Sequence, residues 1–221
     1  MSVIFFDTET TGLECDCCQI VELAMLIVED GTVIEEYDRF INIGCGLPAK
    51  ITRITGITDE MLVREGVSEE TVARDLKDRM TPGTVMVAHN CQFDLSFVYH
   101  LLKRHYPAEA DSIVKSLDWY DTVTILKDRK KFPHKLKDAV EHYGLDEVNF
   151  HRAIDDTKAL YEVTKALKKE RNDLKEYRNL FGYNPKYDVE GVEFEFIRYR
   201  PQRYRNYGFE NPNAILPKTC D

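Results

Sequence analysis

No stretch of this 221-residue chain approaches the ~20 consecutive apolar residues that a bilayer-spanning helix requires. The opening MSVIFFDTETTG lacks the basic region, long apolar run and small-residue cleavage site of a secretory signal. The chain is therefore expected to be soluble, intracellular and cytoplasmic. Paired cysteine blocks are also missing. Of six cysteines, Cys15, Cys17 and Cys18 crowd together while Cys45, Cys91 and Cys220 stand alone, which suits neither a usual disulfide framework nor a four-ligand zinc site. Reduced thiols are the expectation. Nor is there an excess of positive charge: 39 acidic against 30 basic side chains leave a net charge of -9. That is the wrong sign for a protein that coats nucleic acid by bulk electrostatics.

What is present is a globular composition, 43% hydrophobic and 31% charged, enough for one core of ordinary size and inconsistent with a disordered chain. Val3 to Phe6, Ile20 to Val28 and Val33 to Ile43 read as three sequential strands, with Asp30-Gly31 as a hairpin turn. Ser68 predicts a helix cap, followed by Val72, Leu76 and Met80 at helical spacing and stopped by Pro82-Gly83. Val85 to Ala88 predicts a short buried strand. Helices are predicted over Phe93 to Tyr106, Thr122 to Lys130, Leu136 to Tyr143 and Ala153 to Leu174. Strands first, then helices alternating with a strand, imply an α/β domain around a mixed sheet. Past Gly182 tyrosine, asparagine, proline and arginine dominate, and Val192 to Tyr199 alternates like one strand or a hairpin arm.

Three short constellations carry chemistry. In Phe6-Asp7-Thr8-Glu9-Thr10-Thr11-Gly12, strand alternation puts Asp7 and Glu9 on the face shared by Val3 and Phe5. Two carboxylates side by side at the end of a buried strand repel each other unless a cation lies between them. An isolated Asp-x-Glu is more often a solvated strand end. In His89-Asn90-Cys91-Gln92-Phe93-Asp94, Asn90 is placed to cap a helix, and Asp94 heads its apolar stripe of Phe97, Val98, Leu101 and Leu102. Stabilisation of the helix dipole, worth about 0.3 to 1 kcal/mol, is the plainer account of that acid. In His151-Arg152-Ala153-Ile154-Asp155-Asp156, Asp156 shares a stripe with Ala153, Leu160, Val163 and Leu167, whereas Asp155 falls on a polar flank. His151 fits that stripe poorly and is expected on the preceding loop.

Together, four inward carboxylates at element ends suit hard divalent ions, Mg²⁺ or Mn²⁺. A two-metal site can activate water and stabilise the leaving oxygen of an in-line phosphoryl displacement. A histidine titrating near working pH can act as base. The three constellations, in this order, resemble the exonuclease motifs of the DEDDh family over about residues 2 to 170. The similarity extends to epsilon-type proofreading subunits of bacterial DNA polymerase III and to the exonuclease insert of PolC-type polymerases. The resemblance implies two divalent ions held by Asp7, Glu9, Asp94 and Asp156, with His151 as general base. It implies a ribonuclease H-like fold, α/β with a central mixed five-stranded sheet flanked by helices, and 3′-to-5′ release of nucleoside 5′-monophosphates from single-stranded DNA. It further implies substrate contacts at Thr10, Thr11, Leu13, Thr55, Gly56, His89, Asn90 and Phe93, with Leu13 as an apolar wedge under the terminal base. Leu13 and Phe93 could equally be core residues, and for Phe93 the core reading is preferred.

The family also contains exoribonucleases such as ribonuclease T and oligoribonuclease, and nothing in the motifs reads a 2′-hydroxyl. A non-catalytic nucleic-acid or polymerase-binding module is the competing reading outside enzymes. Lys127, Arg129, Lys130, Lys131, Lys135 and Lys137 form the densest basic run, either a substrate-side loop or a solvated one. Arg198, Tyr199, Arg200, Arg203, Tyr204 and Arg205 interleave cations with aromatics, as single-strand binders do. An arm that binds a replicative polymerase or a second copy would use the same composition. The expected division is an exonuclease domain over 1–181 and an extension over 182–221, an arm or hairpin.

Overall fold

A computed structural model describes residues 2–146 and 152–202. Five strands form a mixed sheet: β1 (Ser2–Thr10), β2 (Ile20–Glu29), β3 (Thr32–Phe40), β4 (Val85–Ala88) and β5 (Asp118–Asp121). Their order is β3-β2-β1-β4-β5. The first three run as an antiparallel meander, and β4 and β5 join parallel on the other side of β1. Asp30 and Gly31 close the β2–β3 hairpin with φ of 49° and 81°, the left-handed pair that a tight hairpin turn demands.

Alternation along β1 sends its side chains into two separate cores. Ile4 and Phe6 pack beneath α3 (Glu69–Arg79), α4 (Cys91–His105) and α5 (Ala110–Lys115), whose Leu76, Leu101 and Val114 join them. Phe5 packs on the opposite face against α6 (Thr122–Arg129), α7 (Leu136–Tyr143) and α8 (Ala153–Glu170), through Ile125, Val140, Leu160 and Val163. Two further helices, α1 (Ala49–Thr55) and α2 (Asp59–Glu65), follow β3, and Leu62 packs with Val21, Phe40 and Ile57 in a small third cluster. Among the described residues no helix is long and apolar enough to cross a membrane, and Cys15, Cys17, Cys18, Cys45 and Cys91 are free thiols.

Several elements differ from the sequence expectation. The last long helix stops at Glu170, and Leu174–Tyr177 is a separate 3-10 turn. The buried Arg129 guanidinium binds the Leu167 carbonyl (2.6 Å) and pairs with Asp173, drawing the chain off the helix axis. Val192 to Tyr199 is not one strand. Ile197 N–H donates to Phe194 O (3.0 Å) in a turn that sinks both side chains into the main core, and only Arg198–Pro201 is extended, as β7. β7 runs parallel to β6 (Leu180–Tyr183), so the pair is not a hairpin. The division expected at 181/182 falls inside β6. Gln202 is buried, its amide reaching Thr124 O (3.0 Å) and Asp128 (2.7 Å). Val192 to Gln202 thus packs onto the domain through Phe194, Ile197 and Gln202, and Arg203, Tyr204 and Arg205 lie outside the described residues.

Candidate active site

Asp7 and Glu9 leave β1 on the face covered by α8, and a register shift between Glu9 and Thr10 bends the strand immediately after them. Asp156 sits in the first turn of α8, its N–H donating to Arg152 O (3.0 Å). One carboxylate oxygen from each of Asp7, Glu9 and Asp156 lies within 4.8 Å of the other two. Asp94 approaches from α4, on the opposite side of the sheet, and is fixed by Thr8, whose N–H (3.1 Å) and hydroxyl (2.7 Å) both donate to its Oδ1.

The electrostatics of this grouping are adverse. Desolvation by burial, then the charges of Asp94, Asp156, Glu9 and Glu22, hold Asp7 well above the usual carboxylate range. Desolvation, Asp156 and Glu22 push Glu9 up to about 8, with Arg152 opposing. Asp94 is pushed up to about 7 by burial, although its Thr8 bonds pull the other way. Acids gathered against their own charge, offering only oxygen, fit a hard divalent cation.

An exonuclease family model of the RNase T type matches residues 4–164. The chain belongs to the DEDDh exonuclease family. PolC-type DNA polymerase III of Lacticaseibacillus paracasei is 32% identical over 167 residues, which cover 76% of this chain and 11% of that one. The Thermotoga maritima enzyme is 31% identical over 165 residues, 72% and 11% of the two chains. The chain thus spans about a tenth of the length of these polymerases. E. coli exonuclease I in a complex with single-stranded DNA superimposes with a TM-score of 0.70 at 19% identity, over 80% of this chain and 42% of that one. The exonuclease I of Methylocaldum szegediense gives 0.69 at 19% identity, over 78% and 41%. The fold is the ribonuclease H-like fold of these exonucleases.

Within this exonuclease domain the remaining motif residues separate. Leu13 stands 78% exposed just after β1. Thr10 hydroxyl donates to Gly12 O (2.6 Å), and Thr11 Oγ1 accepts from Gln19 N–H (3.0 Å), so both hydroxyls shape the turn that presents Leu13. Thr55 is buried at the end of α1, its hydroxyl donating to Ile51 O (3.0 Å), and Gly56 ends that helix at φ 73°. Phe93 packs on Phe97, ring centroids 4.8 Å apart, at the edge of the core. His89 has neither ring nitrogen to spare: Nδ1 meets the Thr122 hydroxyl (2.9 Å) and Nε2 the His134 carbonyl (3.0 Å). His151 lies outside the described residues.

Asn90 occupies the capping position of α4 in left-handed conformation, φ 74°, but its side chain makes no capping bond. Asp121 supplies that bond instead, accepting from Asn90 N–H (2.9 Å) and Cys91 N–H (3.2 Å) while also capping α6 through Val123 and Thr124. Only part of the expected basic run faces solvent. Lys127 and Arg129 are buried, Lys130 pairs with Glu170, and the exposed cations of the stretch are Lys131, Lys135 and Lys137. Two polar residues beside the acids, Glu22 and Arg152, were not singled out from sequence as site residues. Glu22 lies in an otherwise apolar strand run, and that break in pattern was the available signal.

Proposed function

We propose that this chain hydrolyses phosphodiester bonds at the 3′ end of single-stranded DNA, releasing nucleoside 5′-monophosphates in service of a DNA polymerase. The observation that carries the reading is the convergence of Asp7, Glu9 and Asp156 within 4.8 Å, with the charge of Asp94 acting on Asp7 from the other face of β1. Asp7, Glu9, Asp94 and Asp156 would hold two Mg²⁺ or Mn²⁺ ions, which supply water activation and charge stabilisation at the scissile phosphate when bound. His151 takes the proton from the attacking water. The exposed Leu13 gives the terminal base an apolar surface to stack on. Kinship with PolC-type polymerases supports DNA as substrate and a polymerase as partner.

The test is a gel assay with 5′-labelled DNA and RNA single strands in Mg²⁺, Mn²⁺ or EDTA. Stepwise shortening of DNA with either metal and none in EDTA is expected. A preference for RNA would reassign the substrate, and intact strands under every condition would overturn the reading.

A further inference from the structure

Glu22 is fully buried, yet it lies beside the acids of the site, directly across the β1–β2 ladder from Glu9. A carboxylate in that position adds repulsion where there is already too much. Its bonds account for its presence. Oε1 accepts from Arg152 Nε (3.2 Å) and a terminal guanidinium nitrogen (3.1 Å), and Oε2 accepts from Ala153 N–H (3.2 Å). Ala153 is the first residue of α8, and no side chain of the helix's own N-terminus caps it. A strand residue 131 positions earlier therefore caps the helix and grips the residue before it. The Arg152 guanidinium is also seated over the Phe40 ring, 5.2 Å from its centroid.

We infer that Glu22 and Arg152 form a clamp that positions Asp156 against Asp7 and Glu9, so that the site's grip on its metal ions depends on this pair. The inference rests on the reading of the acids as a metal site. Asp156 lies one turn into α8 from the clamp. Farther along, Leu160, Val163 and Leu167 meet the sheet through apolar contacts, which are non-directional and tolerate sliding. At this end of the helix the Glu22 bonds are directional. An ion pair whose carboxylate is buried and whose guanidinium is half-buried is weak grounds for stability, since replacing both partners of a desolvated pair with apolar residues is often neutral or stabilising. A geometric role explains why the pair is there. Its removal should therefore damage metal binding without unfolding the chain.

The test uses the full chain and Mn²⁺ alone, with free ion followed by electron paramagnetic resonance. The variant is Glu22→Leu with Arg152→Met, which removes the clamp while leaving the summed charge beside the ligands unchanged, so any loss is geometric. Expected are a thermal midpoint and far-ultraviolet spectrum like those of the unmodified chain, and Mn²⁺ affinity at least tenfold weaker. Turnover at saturating oligonucleotide should also fall at least tenfold, partly recovered by excess Mn²⁺, with the KM for DNA changed less than threefold. A folded variant that binds Mn²⁺ within threefold of the unmodified chain would overturn the inference and leave the pair as a simple cap. Should the double variant not fold, Arg152→Lys decides, because it keeps the charge and loses the two-nitrogen grip. Threefold or greater weakening supports the clamp, and unchanged affinity refutes it. Asp7→Ala separates the two layers: if it binds Mn²⁺ like the unmodified chain, the metal-site reading itself fails.

Discussion

Thr8 holds Asp94 with both of its donors, the backbone N–H at 3.1 Å and the hydroxyl at 2.7 Å, on a single carboxylate oxygen. Thr8 points away from Asp7 and Glu9 along β1, so the strand that presents two acids on one face anchors a third from the other. Thr8→Val keeps the shape and the N–H bond but removes the hydroxyl donor from a buried carboxylate. We expect a loss of about 2 kcal/mol, the scale for hydrogen bonds to charged groups, measured as a lower urea midpoint with unchanged slope. A loss below experimental error would mean that the N–H alone suffices.

Asp7→Asn should separate stability from activity. Removing one charge from the repulsive cluster is expected to raise the thermal midpoint in EDTA by a few degrees, about 1 kcal/mol for a chain of this size. The same change should abolish both the rise in midpoint on adding Mn²⁺ and the hydrolysis of single-stranded DNA. Differential scanning fluorimetry with and without the ion checks it. A midpoint in EDTA below that of the unmodified chain would show that the acids do not repel as described.

Asp121 accepts from Asn90, Cys91 and Val123 N–H at one oxygen, and from Thr124 N–H and hydroxyl at the other. In Asp121→Asn one oxygen becomes an amide donor that faces other donors. Roughly 3 kcal/mol of stability should be lost. Hydrogen exchange should report the loss at the starts of both α4 and α6. Exchange confined to α6 would show that Asp121 does not hold the α4 end.

The pH dependence of stability carries a histidine component of definite sign. Burial lowers His89 from its ordinary 6.5 to about 4, with Asp121 opposing. The unfolded chain therefore binds a proton that the folded chain refuses between those values. The contribution is full above pH 6.5 and is lost as pH falls toward 4, reaching roughly 2 kcal/mol by pH 5. Glu9 and Asp94, raised in the fold, act in the opposite direction. The difference between the unmodified chain and His89→Gln isolates this contribution, and imidazole resonances of His89 should stay neutral at pH 5.5. Titration near 6.5 would refute it.

The meander and most helices were legible because apolar spacing reports burial directly: β1, β2, α3, α7 and the body of α8 follow their stripes. β5 was not, because only Trp119 and Asp121 of its four residues are buried, too little pattern for a strand. Asp7 and Glu9 were legible through alternation, and Asp94 and Asp156 because each heads an apolar stripe. What stayed hidden depends on partners far along the chain. Arg129 looked like a surface cation because Leu167 and Asp173 lie about 40 residues on. Asn90 looked like a cap because the true cap, Asp121, arrives from another strand.

The placement of α8 bears on the synthesis of this protein. Asp156 enters the site only when α8 closes over β1 and β2, and the helix is tied there by Glu22, a residue made long before. A nascent chain that has emerged only as far as Tyr143 carries Asp7, Glu9 and Asp94 but lacks Asp156 and the element that aligns it. Domains fold as units as they leave the ribosome, and in this one Asp7, Glu9 and Asp156 are gathered only once nearly all of the sheet-covering layer is in place. A chain terminated upstream of residue 153 therefore lacks the third acid of that group.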